Sequence, residues 1–243
     1  MSIDINTAFS PELVKQQYLI DKRVRVANFL KTDDASQLLQ TLARETPFSS
    51  AFNIDGDNGV LSDAEMRQLS NDQIQSLQQK IHDNASQGSG FLYGRHDITG
   101  RGAADTPAAL RQFAKLINAE PFLEQIRQIS GHTDIQAASA QATRYLPGNF
   151  LTRHNDFHPS EGRRVAYVMN LSPQWHPDWG GMLQFFQDDG TPRDAWTPQF
   201  NSLVLFDVAH VHSVTFVAPY AKTPRLAVTG WFRTKPLEDQ VGN

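Results

Sequence analysis

Three tripeptides of the form His-x-Asp occur in the sequence: His132-Thr133-Asp134, His154-Asn155-Asp156 and His176-Pro177-Asp178. Two imidazoles and one carboxylate on one side of a metal, with the remaining positions open, suit ferrous iron and dioxygen. A near pair plus one distant histidine is the sequence form of that arrangement. With eight histidines in the chain the tripeptide alone says little, and its surroundings must discriminate. His132 follows Ser130-Gly131 where a helix gives way to a strand, and turn or capping duty explains it. His176 and Asp178 flank a proline in a loop from Ser172 to Gly181, which would hold ligands loosely. His154 closes the run Asn149-Phe150-Leu151-Thr152-Arg153, so a strand would deliver it and the following turn would bring Asp156 to the same metal.

The distant histidine has two candidates, His210 and His212, in a run that begins at Leu203. Residues two apart on a strand point to the same face, so periodicity does not choose between them. Further on, Arg225, Ala227, Thr229 and Trp231 share one face of a strand. Arg225 and Thr229 form a cation and hydroxyl set that fits a carboxylate end-group, the guanidinium binding as a fork. An edge-strand salt bridge is the simpler alternative for that arginine.

These residues need a scaffold. Arg23–Leu30 has a strand-like pattern, and Thr32-Asp33-Asp34 followed by Leu38, Leu39 and Leu42 predicts a helix. Ser62-Asp63-Ala64-Glu65 has the form of a capping box. The polar stretch after it marks residues 55–89 as an insertion. Leu110, Phe113, Leu116, Ile117, Phe122, Ile126 and Ile129 carry helical spacing over residues 107–129. From residue 135 the pattern changes to short runs divided by Pro, Gly, Asn and Asp. Strands are predicted at 135–146, 149–155, 164–171, 182–187, 202–207, 211–218 and 225–233. The expected architecture is a single α+β domain over residues 1–243. Residues 1–130 form mainly helical support, and residues 131–236 form the β core.

Composition narrows the chemistry. The chain has 243 residues, 40% hydrophobic and 10% aromatic, enough for a buried core. With no cysteine, thiolate metal sites, iron–sulfur clusters and cysteine nucleophiles are excluded, so any metal rests on His, Asp or Glu. A formal charge of −4 argues against nucleic acid or an anionic membrane as the main partner. The N-terminal stretch has no apolar core of a signal peptide, and the default expectation is a cytoplasmic protein.

Taken in order, the segment from about 140 to 233 resembles the prolyl hydroxylase branch of the 2-oxoglutarate oxygenases, in particular bacterial proline-4-hydroxylase-like proteins and ribosomal-protein prolyl hydroxylases. The family's Tyr-x-x-Gly-x-x-Leu-x-x-His-x-Asp run is matched by Tyr145, Gly148, Leu151, His154 and Asp156, which selects His154 over its rivals. An arginine-led strand from Arg163 and a Gly180-Gly181-Met182-Leu183 run follow in the family's order. His212, Val214 and Val217 fit the distal His-x-Val-x-x-Val pattern, and His210 does not. Arg225, Thr229 and Trp231 meet the closing pattern. The resemblance implies a double-stranded β-helix (jelly-roll) core braced by the N-terminal helices. It implies Fe(II) held by His154, Asp156 and His212, and 2-oxoglutarate gripped at its distal carboxylate by Arg225 and Thr229. Tyr145, Asn170 and Trp231 are expected along the cosubstrate site. The implied reaction consumes O2, releases succinate and CO2, hydroxylates an unactivated C–H, and draws on ascorbate as a possible reductant. The implied substrate is a prolyl residue in a protein or peptide. A free amino acid or metabolite is the alternative, and a noncatalytic cupin-like barrel is the reading from another class. Two departures stand out: many relatives carry tyrosine at the position of Asn170, and the interval from His212 to Arg225 is long.

Overall fold

A computed structural model describes residues 2–100, 103 and 105–237. The N-terminal part runs α1 (Pro11–Asp21), β1 (Arg23–Ala27), α2 (Thr32–Arg44), β2 (Ser49–Ile54), β3 (Asp57–Ser62), α3 (Asp63–Gln68), α4 (Asn71–Ser86), β4 (Phe91–Asp97), α5 (Ala108–Ile117) and α6 (Glu120–Ser130). The remainder holds β5 (Ala137–Ala138), β6 (Gln141–Tyr145), β7 (Phe150–His154), β8 (Arg163–Asn170), β9 (Leu183–Phe186), β10 (Pro192–Trp196), β11 (Ser202–Asp207), β12 (His212–Val214) and β13 (Arg225–Arg233).

The strands join one antiparallel sheet whose main path is β1-β11-β8-β13-β6-β4-β7-β12-β9-β10. Its two ends meet. Arg23 on β1 pairs with Asp194 on β10 at 2.5 Å, and its guanidinium lies over the rings of Phe185 and Trp196 at 4.5 and 5.2 Å. The sheet is thus curled into the expected jelly-roll.

Alternation along the strands divides the molecule into two layers. Val165, Tyr167 and Met169 on β8, with Val228 and Phe232 on β13, face the helices and pack with Phe113, Ile117, Phe122 and Ile126. The opposite face, with Ala166, Val168, Phe185, Val204, Phe206 and Ala227, forms the lining of the curl. α2 and α6 are amphipathic, each burying one stripe in the core on the helix side of the sheet: Ala35, Leu38 and Leu42 in α2, and Phe122, Leu123, Ile126 and Ile129 in α6.

The N-terminal part departs from the expected layout. It supplies four strands besides its helices, and β4 is inserted between β6 and β7. The sheet therefore runs across the expected division at residue 130. The 55–89 stretch is ordered, with capping boxes at Ser62/Glu65 and Ser70/Gln73 opening α3 and α4. Ile81 of α4 is buried against Phe52 and Phe150. Strand β10 was also not expected; it starts at Pro192, as an edge strand can. Among the described residues, no helix is long and apolar enough to cross a membrane.

Candidate metal centre

Within the curl, His154, Asp156 and His212 converge, with one ligand atom from each lying within 4.8 Å of the others. Strand pairing produces this meeting. His154 ends β7, His212 starts β12, and the two are register partners with ring centroids 4.2 Å apart. Asp156 comes from the turn after β7, and its backbone N–H donates to Val208 O at 3.0 Å. The Asp156 carboxylate lies 3.7 Å from His154 Nε2 and 3.5 Å from His212 Nε2.

Both imidazoles are oriented by the same device. His154 Nδ1 donates to Thr152 O and His212 Nδ1 donates to His210 O, each at 2.9 Å. A proton fixed on Nδ1 leaves Nε2 with a free lone pair, and both Nε2 atoms face the carboxylate. Burial holds the His212 pKa down to about 4 against the opposing pull of Asp156. At neutral pH His212 is therefore a neutral imidazole, and two histidines around one carboxylate make a donor set that fits Fe(II).

Arg225 opens β13 and is 2% exposed. Its guanidinium lies 5.1 Å over the ring of Tyr145, its register partner on β6, and its stem runs beside Gly181 and Trp175. Among the described residues no carboxylate pairs with it, and its buried Nε has no hydrogen-bond partner. Burial pulls its pKa down, although arginine stays charged. A buried, uncompensated cation is costly unless an anion completes it. The edge-strand salt bridge is therefore not what this arginine makes.

The metal cluster and Arg225 line one cavity of about 300 Å³ that also takes in Tyr93, Tyr145, Leu183, Phe206, Thr229 and Trp231. Thr229 accepts a hydrogen bond from Gln141 Nε2 at 3.3 Å. It stands four residues from Arg225 on an extended strand, about 13 Å along it, so the two side chains serve different stretches of the wall. Trp231 is further still from Arg225, beneath the guanidinium of Arg163 at 3.5 Å.

Asn170 does not line the cavity. It shares the inward face of β8 with Ala166 and Val168 but lies beyond them, where its Nδ2 donates to Ser202 Oγ at 3.3 Å. Tyr167 points to the helix side, and its hydroxyl donates to Ser139 O at 2.9 Å.

The other histidine candidates are accounted for separately. His132 lies 3.4 Å from Asp207, and Asp134 pairs with Arg164 at 2.7 Å. His176 and Asp178 are exposed. Trp175 packs with Tyr145 and Val217. The turn after β7, through Asn155, Phe157 and His158, also borders the cavity, as does Arg163. His210 Nε2 donates to Asp21 O at 2.9 Å, away from the cluster.

Sequence reasoning missed Tyr93. Its ring stacks on Tyr145 at 5.1 Å and 13°, and burial raises its pKa. Nothing in the sequence around Phe91-Leu92-Tyr93 marked its insertion beside β7.

Comparison with known proteins follows the same outline. Residues 140–233 match the 2OG-Fe(II) oxygenase superfamily. The chain is 40% identical over 126 residues to prolyl 3-hydroxylase OGFOD1 of Xenopus laevis, taking in 49% of this chain and 24% of that protein. It is 32% identical over 120 residues to the Mus musculus protein of the same name, taking in 46% and 22%. The matched segments thus span about a quarter of the length of these curated relatives. A prolyl-4-hydroxylase of Pseudomonas putida superposes with a TM-score of 0.61 at 21% identity, over 93% of this chain and 100% of that one. A prolyl hydroxylase of Trichoplax adhaerens, solved with a peptide fragment of the hypoxia inducible factor oxygen degradation domain, gives 0.61 at 18% identity, over 92% and 89%. At these identities the structures speak for the fold.

Proposed function

We propose that this chain, whose residues 140–233 match the 2OG-Fe(II) oxygenase superfamily, hydroxylates a prolyl residue of a protein or peptide. The observation that carries the reading is the pairing, in one cavity, of a His-Asp-His cluster with a buried arginine that has no carboxylate partner among the described residues. His154, Asp156 and His212 hold the metal, and Arg225 receives the distal carboxylate of 2-oxoglutarate. When bound, Fe(II) with 2-oxoglutarate and O2 supplies the oxidising power for a C–H bond, with succinate and CO2 released.

The protein's own residues supply position and dryness. The Nδ1 hydrogen bonds hold both imidazoles with Nε2 inward. The guanidinium of Arg225 fixes one end of a dicarboxylate so that its other end faces the metal cluster. Tyr145 and Tyr93 form the wall beside that cation, and Thr229 with Gln141 forms a polar stretch further along β13. Leu183, Phe206 and Val168 exclude water. Arg163, with Trp231 beneath its guanidinium, and Phe157 with His158 border the entrance.

Sequence identity to the prolyl 3-hydroxylases, 32–40%, against 21% or less for the prolyl hydroxylase structures, favours C3 of the proline ring over C4. The proposal treats residues 1–243 as one catalytic unit, because β1 to β4 are hydrogen-bonded into the same sheet as the core. It includes ascorbate as a reductant, a cytoplasmic setting and no membrane or nucleic-acid partner.

The test is incubation with Fe(II), 2-oxoglutarate and a cell lysate, followed by peptide mass spectrometry and hydroxyproline analysis. The expected result is one added oxygen on proline, at C3, with stoichiometric succinate, lost in Asp156→Ala. Oxygen incorporated only into small metabolites would overturn the protein substrate, and no succinate under any condition would overturn the oxygenase reading.

A further inference from the structure

The turn between β11 and β12, residues 207–211, touches two of the three residues of the metal cluster. Val208 O receives the backbone N–H of Asp156 at 3.0 Å, and His210 O receives Nδ1 of His212 at 2.9 Å. The turn is itself shaped by Asp207, whose carboxylate accepts the Ala209 N–H at 2.9 Å, while its carbonyl accepts the His210 N–H at 3.1 Å. What anchors this turn lies at the other end of the sequence. Asp207 N–H donates to Lys22 O at 2.9 Å, and His210 Nε2 donates to Asp21 O at 2.9 Å.

Asp21 is the last residue of α1, and Lys22 caps the helix in the left-handed conformation at φ 54°. Carbonyls in the last turn of a helix lack intrahelical partners, so Asp21 O is an acceptor that needs an outside donor. A carbonyl accepts only, so His210 must carry its proton on Nε2 to meet it. The ring is further seated edge-on to Phe185 at 5.8 Å, and Phe185 in turn lies under Arg23 of β1 at 4.5 Å.

We infer that His210 is a positioning residue: by bonding Asp21 O it fastens the β11–β12 turn to the α1–β1 corner, and so holds His212 and Asp156 at the spacing a metal requires. Its side chain touches neither metal nor substrate. Its effect passes through its own carbonyl to the His212 ring and through Val208 O to the Asp156 backbone. Partners that orient a ligand are typically worth about 10- to 100-fold in metal affinity. The inference rests on the assignment of His154, Asp156 and His212 as the metal ligands. It requires neither 2-oxoglutarate turnover nor any particular substrate.

The experiment reads metal affinity directly, by Mn(II) titration of the metal-free full chain followed by electron paramagnetic resonance. His210→Leu keeps an apolar body against Phe185 and removes the donor; it should bind Mn(II) about tenfold or more weakly than the wild type. His210→Gln restores a donor at nearly the position of Nε2 and should recover affinity to within about threefold, which a merely structural role for the ring would not give. His210→Asn is one methylene too short to reach Asp21 O. It should behave as the leucine variant, and it carries the test if that variant does not fold. Melting by circular dichroism of each metal-free variant separates loosened ligands from lost fold. Wild-type Mn(II) affinity in the leucine or asparagine variant, or equal loss in the glutamine variant, would overturn the role of the hydrogen bond. Absent succinate formation with normal Mn(II) binding would count against the oxygenase reading and leave the positioning role standing.

Discussion

At the scale of single residues, burial explains why two groups depart from their ordinary chemistry, and in opposite senses for ligand binding. His212 is kept neutral, which makes it a donor to a cation. Its pKa of about 4 in the folded chain lies below the ~6.5 of an unfolded histidine, so as pH falls between those values the unfolded state takes up a proton that the folded state refuses. Its contribution is therefore complete above pH ~6.5 and lost progressively towards pH ~4, on the order of 3 kcal/mol in all. Denaturant titrations of the metal-free protein should show wild type losing stability relative to His212→Gln over that interval. Arg225 stays charged with no carboxylate partner among the described residues, which suits it to receive an anion. Arg225→Met keeps the stem beside Gly181 and Trp175 and removes the uncompensated charge. The metal-free variant should then melt at or above the wild-type temperature. It should also lose the thermal shift given by 2-oxoglutarate, with KM for that compound raised roughly 100-fold, in line with loss of a charge-assisted pair.

Among the elements, β13 carries the heaviest constraints, since it lies between β8 and β6 and supplies Arg225, Thr229 and Trp231 to one cavity. Gly230 sits in its middle with an ordinary negative φ, so its requirement is space rather than conformation. A Cβ there would collide with the carbonyl of Ser139, a backbone atom, and would press on the Tyr167 ring. Gly230→Ala should destabilise by about 3 kcal/mol through overpacking, read as a lowered melting temperature. Because Trp231 is adjacent, weaker substrate binding should accompany the change. The alternation that sends Tyr167 to the helices and Ala166 and Val168 to the cavity also explains Asn170: it keeps the inward parity of β8 but sits past the end of the cavity. Parity was readable from the sequence, whereas the length of the cavity was not.

At the scale of the whole molecule, the seam between β1 and β10 decides whether the sheet stays curled around its contents. Arg23 bridges Asp21 and Asp194 at 2.5 Å each while stacking on Phe185 and Trp196. Arg23→Met should cost about 1–3 kcal/mol, since a mostly buried cation loses two carboxylates and two rings. A double-mutant cycle with Asp194→Asn should show coupling, and additive effects would mean that the seam is held elsewhere. The sequence by itself carried the expected chemistry and the local structure around its residues. Resemblance to a family's ordered motifs pointed to His154, Asp156, His212 and Arg225; local pattern marked the change from helical to β near residue 135, most core strands and the Ser62 capping box. These are legible because strand alternation, caps and short spacings are properties of neighbouring residues. Only the tertiary structure decided that β4 enters between β6 and β7 to bring Tyr93 beside Tyr145. It alone decided that the 155–158 turn borders the cavity, and that His210 turns away to bond the end of α1. Each of these depends on contacts between segments far apart in the chain. For the isolated sequence His210 and His212 shared a strand face; after folding, one is bonded to a helix end and the other faces a carboxylate, because a turn rather than a continuous strand separates them.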